Sequence, residues 1–272
     1  MPPIACRPKP LTPSQAAEAV RRAMLINPGN GSSRRTIVRT PVGRRGGPRR
    51  LAVVIARKWP TNGLRLTVQF LDNAPADLRK RILLHMNAWN KTANVQFVET
   101  RGTGQVRITR LDSPEDMSGY WSYIGTEILG VKNSEPTLNL DSFTMRTSES
   151  EFRRVVRHEA GHTLGFDHEH MRGALVRKID RTKALRFFDL TQGWTPEEID
   201  EQVLTPLAAA SIMGTRESDP TSIMCYQIPG AITKDGKPII GGRDINPTDF
   251  AFAASIYPRQ IAPTRRRRQR SG

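Results

Sequence analysis

The stretch His158-Glu159-Ala160-Gly161-His162-Thr163-Leu164-Gly165-Phe166-Asp167-His168 constrains this chain more than any other. On a helix, residues four apart stand one turn above each other, so His158 and His162 leave the same face and can grip one ion. Glu159 follows the first of them and projects beside that ion, where a carboxylate can take a proton from a bound water. Gly165 permits a positive φ, at which a chain turns sharply. That turn brings His168 round as a third nitrogen ligand. Three protein ligands with an open fourth position describe a catalytic site for one Zn2+ ion rather than a structural one. Four of the five histidines of the chain fall between positions 158 and 170, which argues against scattered packing residues. The fifth, His85, lies in an apolar-striped segment and reads as a packing residue.

The extended spacing resembles that of the metzincin metallopeptidases, and the continuation His168-Glu169-His170, with Phe166 and Arg172, is similar to the astacin group. A second stretch, Asp219-Pro220-Thr221-Ser222-Ile223-Met224-Cys225-Tyr226, resembles the astacin Met-turn, whose methionine floors the three imidazoles. Cys225 departs from the usual residue there. The resemblance runs more loosely from about Lys58 to about Pro258 and extends to bacterial astacin-like and matrixin-like proteases. It implies an α+β fold with a five-stranded, mostly parallel twisted sheet. Two long helices would lie above the cleft and a smaller, mainly helical subdomain below it. The implied activity is that of a zinc metalloendopeptidase with a protein or peptide substrate and Glu159 as general base. Tyr226 stands where astacins carry a switchable tyrosine ligand that stabilises the oxyanion. Glu169, which in astacins fastens the mature N-terminus, is expected to make a buried structural contact.

Charge divides the chain into three. Of the 42 Lys and Arg, 13 lie in residues 1–58 and 6 in residues 259–272, against the single acid Glu18 in both stretches together. That leaves 23 basic and 25 acidic residues between them, so the net charge of +16 belongs to the ends. A basic extension over residues 1–57, a catalytic domain over 58–258 and a basic tail over 259–272 are therefore expected. Runs such as Arg265 to Arg268 are usually solvated. They allow weak polyanion binding, but no nucleic-acid fold accompanies them, so no specific nucleic acid is expected as a partner. No apolar run approaches the roughly 20 residues of a membrane span. No charged start followed by an apolar stretch marks a signal peptide, which leaves a cytoplasmic location or export by a non-classical route. A monomer is expected.

Cys6 and Cys225 do not make a disulfide framework. The default reading of Cys6 is a plain thiol in a flexible tail. A thiolate reaching the zinc, as in matrixin propeptides, is a second reading, although Ala5-Cys6-Arg7-Pro8-Lys9-Pro10 lacks the full motif; a Cys6–Cys225 disulfide is a third. Residues 1–50 contain no aspartate, the residue with which astacin pro-segments cap their zinc. The extension reads as a pro-segment, a targeting arm or a solvated arm.

In chain order, Thr12 caps a helix with Pro13 at its first position, running to about Leu25 and ended by Asn27-Pro28-Gly29. Residues 32–50 read as a linker. Leu64–Phe70 alternates like a strand. Leu78, Ile82, Leu83, Met86 and Trp89 form one helical stripe, and Val95–Val98 and Val106–Ile108 are two more strands. Gly119–Gly125 is the expected antiparallel edge strand, open to an extended substrate, with Pro136–Leu140 inside it. Ser148 and Glu151 form a capping box for the zinc helix. Lys183–Leu190 and Thr195–Leu204 are lower-subdomain helices, and a last helix runs from Asn246 to Tyr257. Two other readings compete with the enzyme: a non-catalytic binding module of the same fold, and a polyanion-associated protein using its basic ends.

Overall fold

A computed structural model describes residues 6, 9–31, 57–112, 119–206 and 218–259. The linker 32–50 and the Arg-rich run 265–270 lie outside them. Helix α1 (Pro13–Ile26) starts on a reciprocal Thr12–Gln15 capping box. Strand β1 (Leu64–Phe70), helix α2 (Ala76–Met86), β2 (Val95–Glu99), β3 (Val106–Thr109), β4 (Tyr120–Ser122) and β5 (Leu138–Leu140) build the upper half. The sheet order is β2-β1-β3-β5-β4, parallel throughout except where β4 runs antiparallel to β5. The expected five-stranded α+β architecture is present. Central β3 and β5 are buried on both faces, as parallel strands covered by helices must be.

Leu66, Val68 and Ile108 of the sheet, Ile82 and Met86 of α2, and Ala160 and Leu164 of the zinc helix share one core. Burying a leucine- or isoleucine-sized side chain contributes about 1.5–3 kcal/mol, so this layer fixes the zinc helix against the sheet. The stripe expected as a single helix up to Trp89 breaks at Met86 and ends in a 3-10 turn, Asn87–Lys91. There Asn87 bonds the backbone of Phe97 in β2 through both its side-chain atoms, a tertiary contact that periodicity does not reveal.

The zinc helix is made of α3 (Glu149–Glu151), a π-helical turn (Phe152–Val156) and α4 (Arg157–Thr163). Ser148 caps Glu151 N–H as expected, but the reverse half of the box is missing because the Glu151 carboxylate turns to Arg154. Below the cleft, α5 (Gly173–Val176), α6 (Arg181–Gln192) and α7 (Pro196–Ile199) enclose a second core of Leu175, Ile179, Phe188, Ile199 and Ile239, in which Trp194 stacks on Phe188. Helix α8 (Pro247–Ile256) follows, ahead of Tyr257. No described helix is long and apolar enough to cross a membrane.

The N-terminal segment is not a free arm where it is described. Helix α1 packs its Ala19 and Ala23 face on the turn Gly125–Gly130, and Gln15 Nε2 donates to Glu135 at 3.2 Å. Asn27 and Asn30 each donate to the Lys58 carbonyl, and Asn30 accepts from Lys58 N–H.

Candidate metal centre

Helix α4 ends in a Schellman motif. Gly165, at φ 97°, donates its N–H to the His162 carbonyl, and Phe166 N–H reaches back to Gly161. Two further carbonyls at this helix end are taken by tertiary donors, Thr163 by Trp59 Nε1 at 2.8 Å and Leu164 by the Tyr257 hydroxyl at 2.6 Å. The reversal is therefore held from three sides, and it carries His168 back over the helix.

His162 Nε2 lies 2.9 Å and His158 Nε2 3.2 Å from His168 Nε2. His158 Nδ1 donates to the Ile223 carbonyl at 2.6 Å and His162 Nδ1 to the Phe166 carbonyl at 2.7 Å. A carbonyl only accepts, so both protons sit on Nδ1 and both Nε2 lone pairs face the same point. One hydrogen on His168 could satisfy at most one of them. A cation satisfies all three, and the spacing matches the roughly 3.3 Å between ligands bound about 2.0–2.1 Å from a tetrahedral zinc. Burial holds His158 near 4 and pushes His162 and His168 well below the usual imidazole range, so all three are neutral ligands.

The floor comes from the turn Asp219–Tyr226. Met224 Sδ lies so close beneath the helix that a Cβ on Gly161 would stand 2.5 Å from it. This contact gives Gly161 a packing role that its sequence context did not announce. Asp249 secures the turn, accepting from Ser222 Oγ at 2.6 Å and Ile223 N–H at 3.0 Å. Glu169 joins it to the third ligand: its N–H donates to the Met224 carbonyl and its carboxylate accepts from Asp219 N–H, both at 2.9 Å.

Glu159 is buried beside the imidazoles, and burial raises its carboxyl to about 8. The Tyr226 hydroxyl is buried without a hydrogen-bond partner among the described residues. The Tyr226 ring stacks on His170 at 3.9 Å, and His170 Nε2 donates to the Gln202 carbonyl. His85 packs on Phe152, as its position suggested.

Cys6 corrects the tail reading. It is buried, unpaired, and its Sγ joins the three histidines in a cluster whose ligand atoms all lie within 4.8 Å of one another. Ser122 N–H of edge strand β4 is directed at the same sulfur. In the protein alone, burial raises the thiol well above its usual range; a dication reverses that sign and deprotonates a coordinating thiol. Cys225 is also buried and free, so the disulfide reading fails.

The model of the astacin family of peptidases matches residues 52–230. The chain belongs to the astacin family. This astacin-family chain is 29% identical over 188 residues to zinc metalloproteinase nas-27 of Caenorhabditis elegans, a match that covers 69% of the chain but only 38% of that protein. The structure of myroilysin is similar at 29% identity and a TM-score of 0.69, covering 75% of this chain and 97% of that one. A hatching enzyme zinc-protease from the medaka fish Oryzias latipes, at 17% identity and a TM-score of 0.51 over 75% of this chain and 94% of that one, shares the fold. The histidine cluster of this astacin-family member fits a catalytic zinc site.

Proposed function

We propose that this protein is a zinc-dependent metalloendopeptidase in which Glu159 is the general base and Tyr226 stabilises the oxyanion. The observation that carries this reading is the convergence of three neutral Nε2 atoms beside one buried carboxylate. His158, His162 and His168 would hold the ion, which when bound acidifies water and polarises a carbonyl. Glu159 takes the proton from the attacking water and passes it to the departing amine. Tyr226 has a hydroxyl with no partner among the described residues, free to donate to the oxygen on which charge develops. A preorganised donor of this kind is worth roughly 2.7–4 kcal/mol in other hydrolases. The intact ligand set with its neighbouring carboxylate speaks against a non-catalytic module. Polyanion binding by the basic ends would not require it.

One further observation favours a latent state of the same enzyme. The Cys6 sulfur occupies the ligand cluster and Ser122 N–H, on the strand expected to pair with substrate, is turned toward it. Residues 9–31 dock on the catalytic body through α1 and the Asn27 and Asn30 bonds. The N-terminal segment therefore acts as a pro-segment with Cys6 as fourth ligand.

The test is cleavage of a peptide library by the zinc-loaded Cys6→Ser protein and by the same protein carrying Glu159→Gln, with bound zinc quantified in both. Cleavage only by the first, with equal zinc, supports Glu159 as base. Equal cleavage by both overturns it.

A further inference from the structure

Helix α1 meets the rest of the molecule at backbone range. Its buried residues are Ala19 and Ala23, and Ala19 lies against Gly130. A Cβ added to Gly130 would stand 2.2 Å from the Gln15 carbonyl oxygen and 2.9 Å from Ala19 Cβ. So close an approach needs glycine on one side and a small residue on the other. Polar contacts flank it at both ends of the helix. Gln15 Nε2 donates to Glu135 at 3.2 Å, while Asn27 and Asn30 donate to the Lys58 carbonyl at 3.3 and 3.0 Å. None of these groups is a metal ligand.

The surface that receives α1 is held by partners outside the helix. Buried Arg107 of β3 donates to the Glu135, Gly104 and Val131 carbonyls at 2.7, 3.1 and 3.2 Å. It thereby fixes the segment that follows the Gly125–Gly130 turn. Within that turn, Thr126 N–H donates to the Arg57 carbonyl, and the Glu127 carboxylate pairs with Arg57 Nε at 3.0 Å. A surface built this way is ready before its occupant arrives. The helix is also partly self-sufficient, with its Thr12–Gln15 capping box and with Glu18 bonded to Arg21 and Arg22 on its exposed side. Yet a helix of 14 residues is marginal alone in water. Its apolar face is completed only by the body.

Cys6 precedes the capping residue Thr12 by six positions, a tether of at most about 20 Å. A thiol tied so closely to a docked helix rebinds at an effective concentration in roughly the millimolar range. We infer that the turn Gly125–Gly130, with Glu135 and Lys58, is a recognition site for residues 9–31 that works separately from the metal centre and takes this segment even as a free peptide. Resting on the pro-segment reading above, its occupation in the intact chain is what keeps Cys6 at the metal. The ligand it fits is an alanine-faced helix with one amide in its first turn and two just beyond its last. Latency then has two points of attachment, and opening the remote one releases the other.

The test uses zinc-loaded full chains with substitutions on opposite sides of the contact. Gly130→Ala closes the site, because its methyl meets the Gln15 carbonyl while the backbone of Gly130 is outside the left-handed region. Ala19→Arg leaves the site open and bars the chain's own helix from it. Both should speed labelling of Cys6 by a disulfide reagent roughly a hundredfold, with zinc content unchanged. Arg21→Ala, on the exposed side of α1, should label like the wild type. A fluorescent peptide of residues 9–31, added up to about 1 mM, should bind Ala19→Arg. It should bind neither the wild type, whose site is filled, nor Gly130→Ala. If Ala19→Arg loses its zinc, Gln15→Ala/Asn27→Ala/Asn30→Ala serves as the open chain, since it removes the polar contacts without adding bulk. Peptide binding in this pattern, with wild-type Cys6 labelled as fast as free cysteine, supports the recognition site and defeats the Cys6 latency reading alone. The inference is overturned by no binding to the open chain, or by equal binding to Gly130→Ala or wild type. Equally slow labelling of Cys6 in the wild type and in both site variants also overturns it.

Discussion

The sulfur of Cys6 lies 3.4 Å from Oε2 of Glu159, although 153 residues separate them in the chain. On the proposed mechanism, a thiol at that distance from the carboxylate, and within the histidine cluster, stands where the attacking water would be. Lys9, three residues on, lies over the Trp121 ring of edge strand β4 at 4.8 Å. Cys6 and Lys9 thus lie against the histidine cluster and the strand beside it, ahead of α1, which packs on the Gly125–Gly130 turn.

Cys6→Ser should therefore raise peptidase activity by at least about tenfold, the change produced when a blocking contact worth as little as about 1.4 kcal/mol is lost. In the cobalt-loaded protein, a sulfur-to-metal charge-transfer band should be present in the wild type and absent in Cys6→Ser. The wild-type thiol should resist a disulfide reagent until the metal is chelated. A cobalt spectrum unchanged by the substitution would remove Cys6 from the ligand set.

The stack of His170 on Tyr226, at 3.9 Å and 17° between planes, holds the phenol ring in one orientation. Aromatic pairs of this kind are worth about 0.5–1.5 kcal/mol beyond their burial. In the Cys6→Ser background, His170→Leu should lower kcat by roughly two- to tenfold with little change in KM, and His170→Phe should restore most of it. If His170 acts by positioning Tyr226, its substitution adds no further loss to Tyr226→Phe. Additive losses would assign His170 a purely structural part.

Gly161→Ala would drive a methyl group to within 2.5 Å of Met224 Sδ. Overpacking of this kind costs about 1–3 kcal/mol, which for a domain of this size lowers Tm by roughly 2–12 °C. The displaced sulfur belongs to the turn whose Ile223 carbonyl holds His158, so zinc should also be lost at lower chelator concentration. Trimming the neighbour in Gly161→Ala/Met224→Ala should recover part of the stability. A thermal melt and a chelator titration of the three proteins check this.

The sequence by itself determined what depends on local backbone geometry. A four-residue helical step aligns His158 with His162, and a glycine able to take φ 97° reverses the chain to deliver His168. Both consequences follow from residues within eleven positions of each other. Strand alternation in Leu64–Phe70, the Thr12 cap and the start of the last helix at Asn246 were legible for the same reason. Tertiary structure alone decided which distant groups meet them. Nothing around Cys6 has a period or spacing that points to Glu159; only the tertiary structure brings that sulfur into the cluster. The Gly161–Met224 contact and the His170–Tyr226 stack are of the same kind. Each joins segments whose approach is set by the packing of two separate cores, and such packing leaves no repeating signature in either segment.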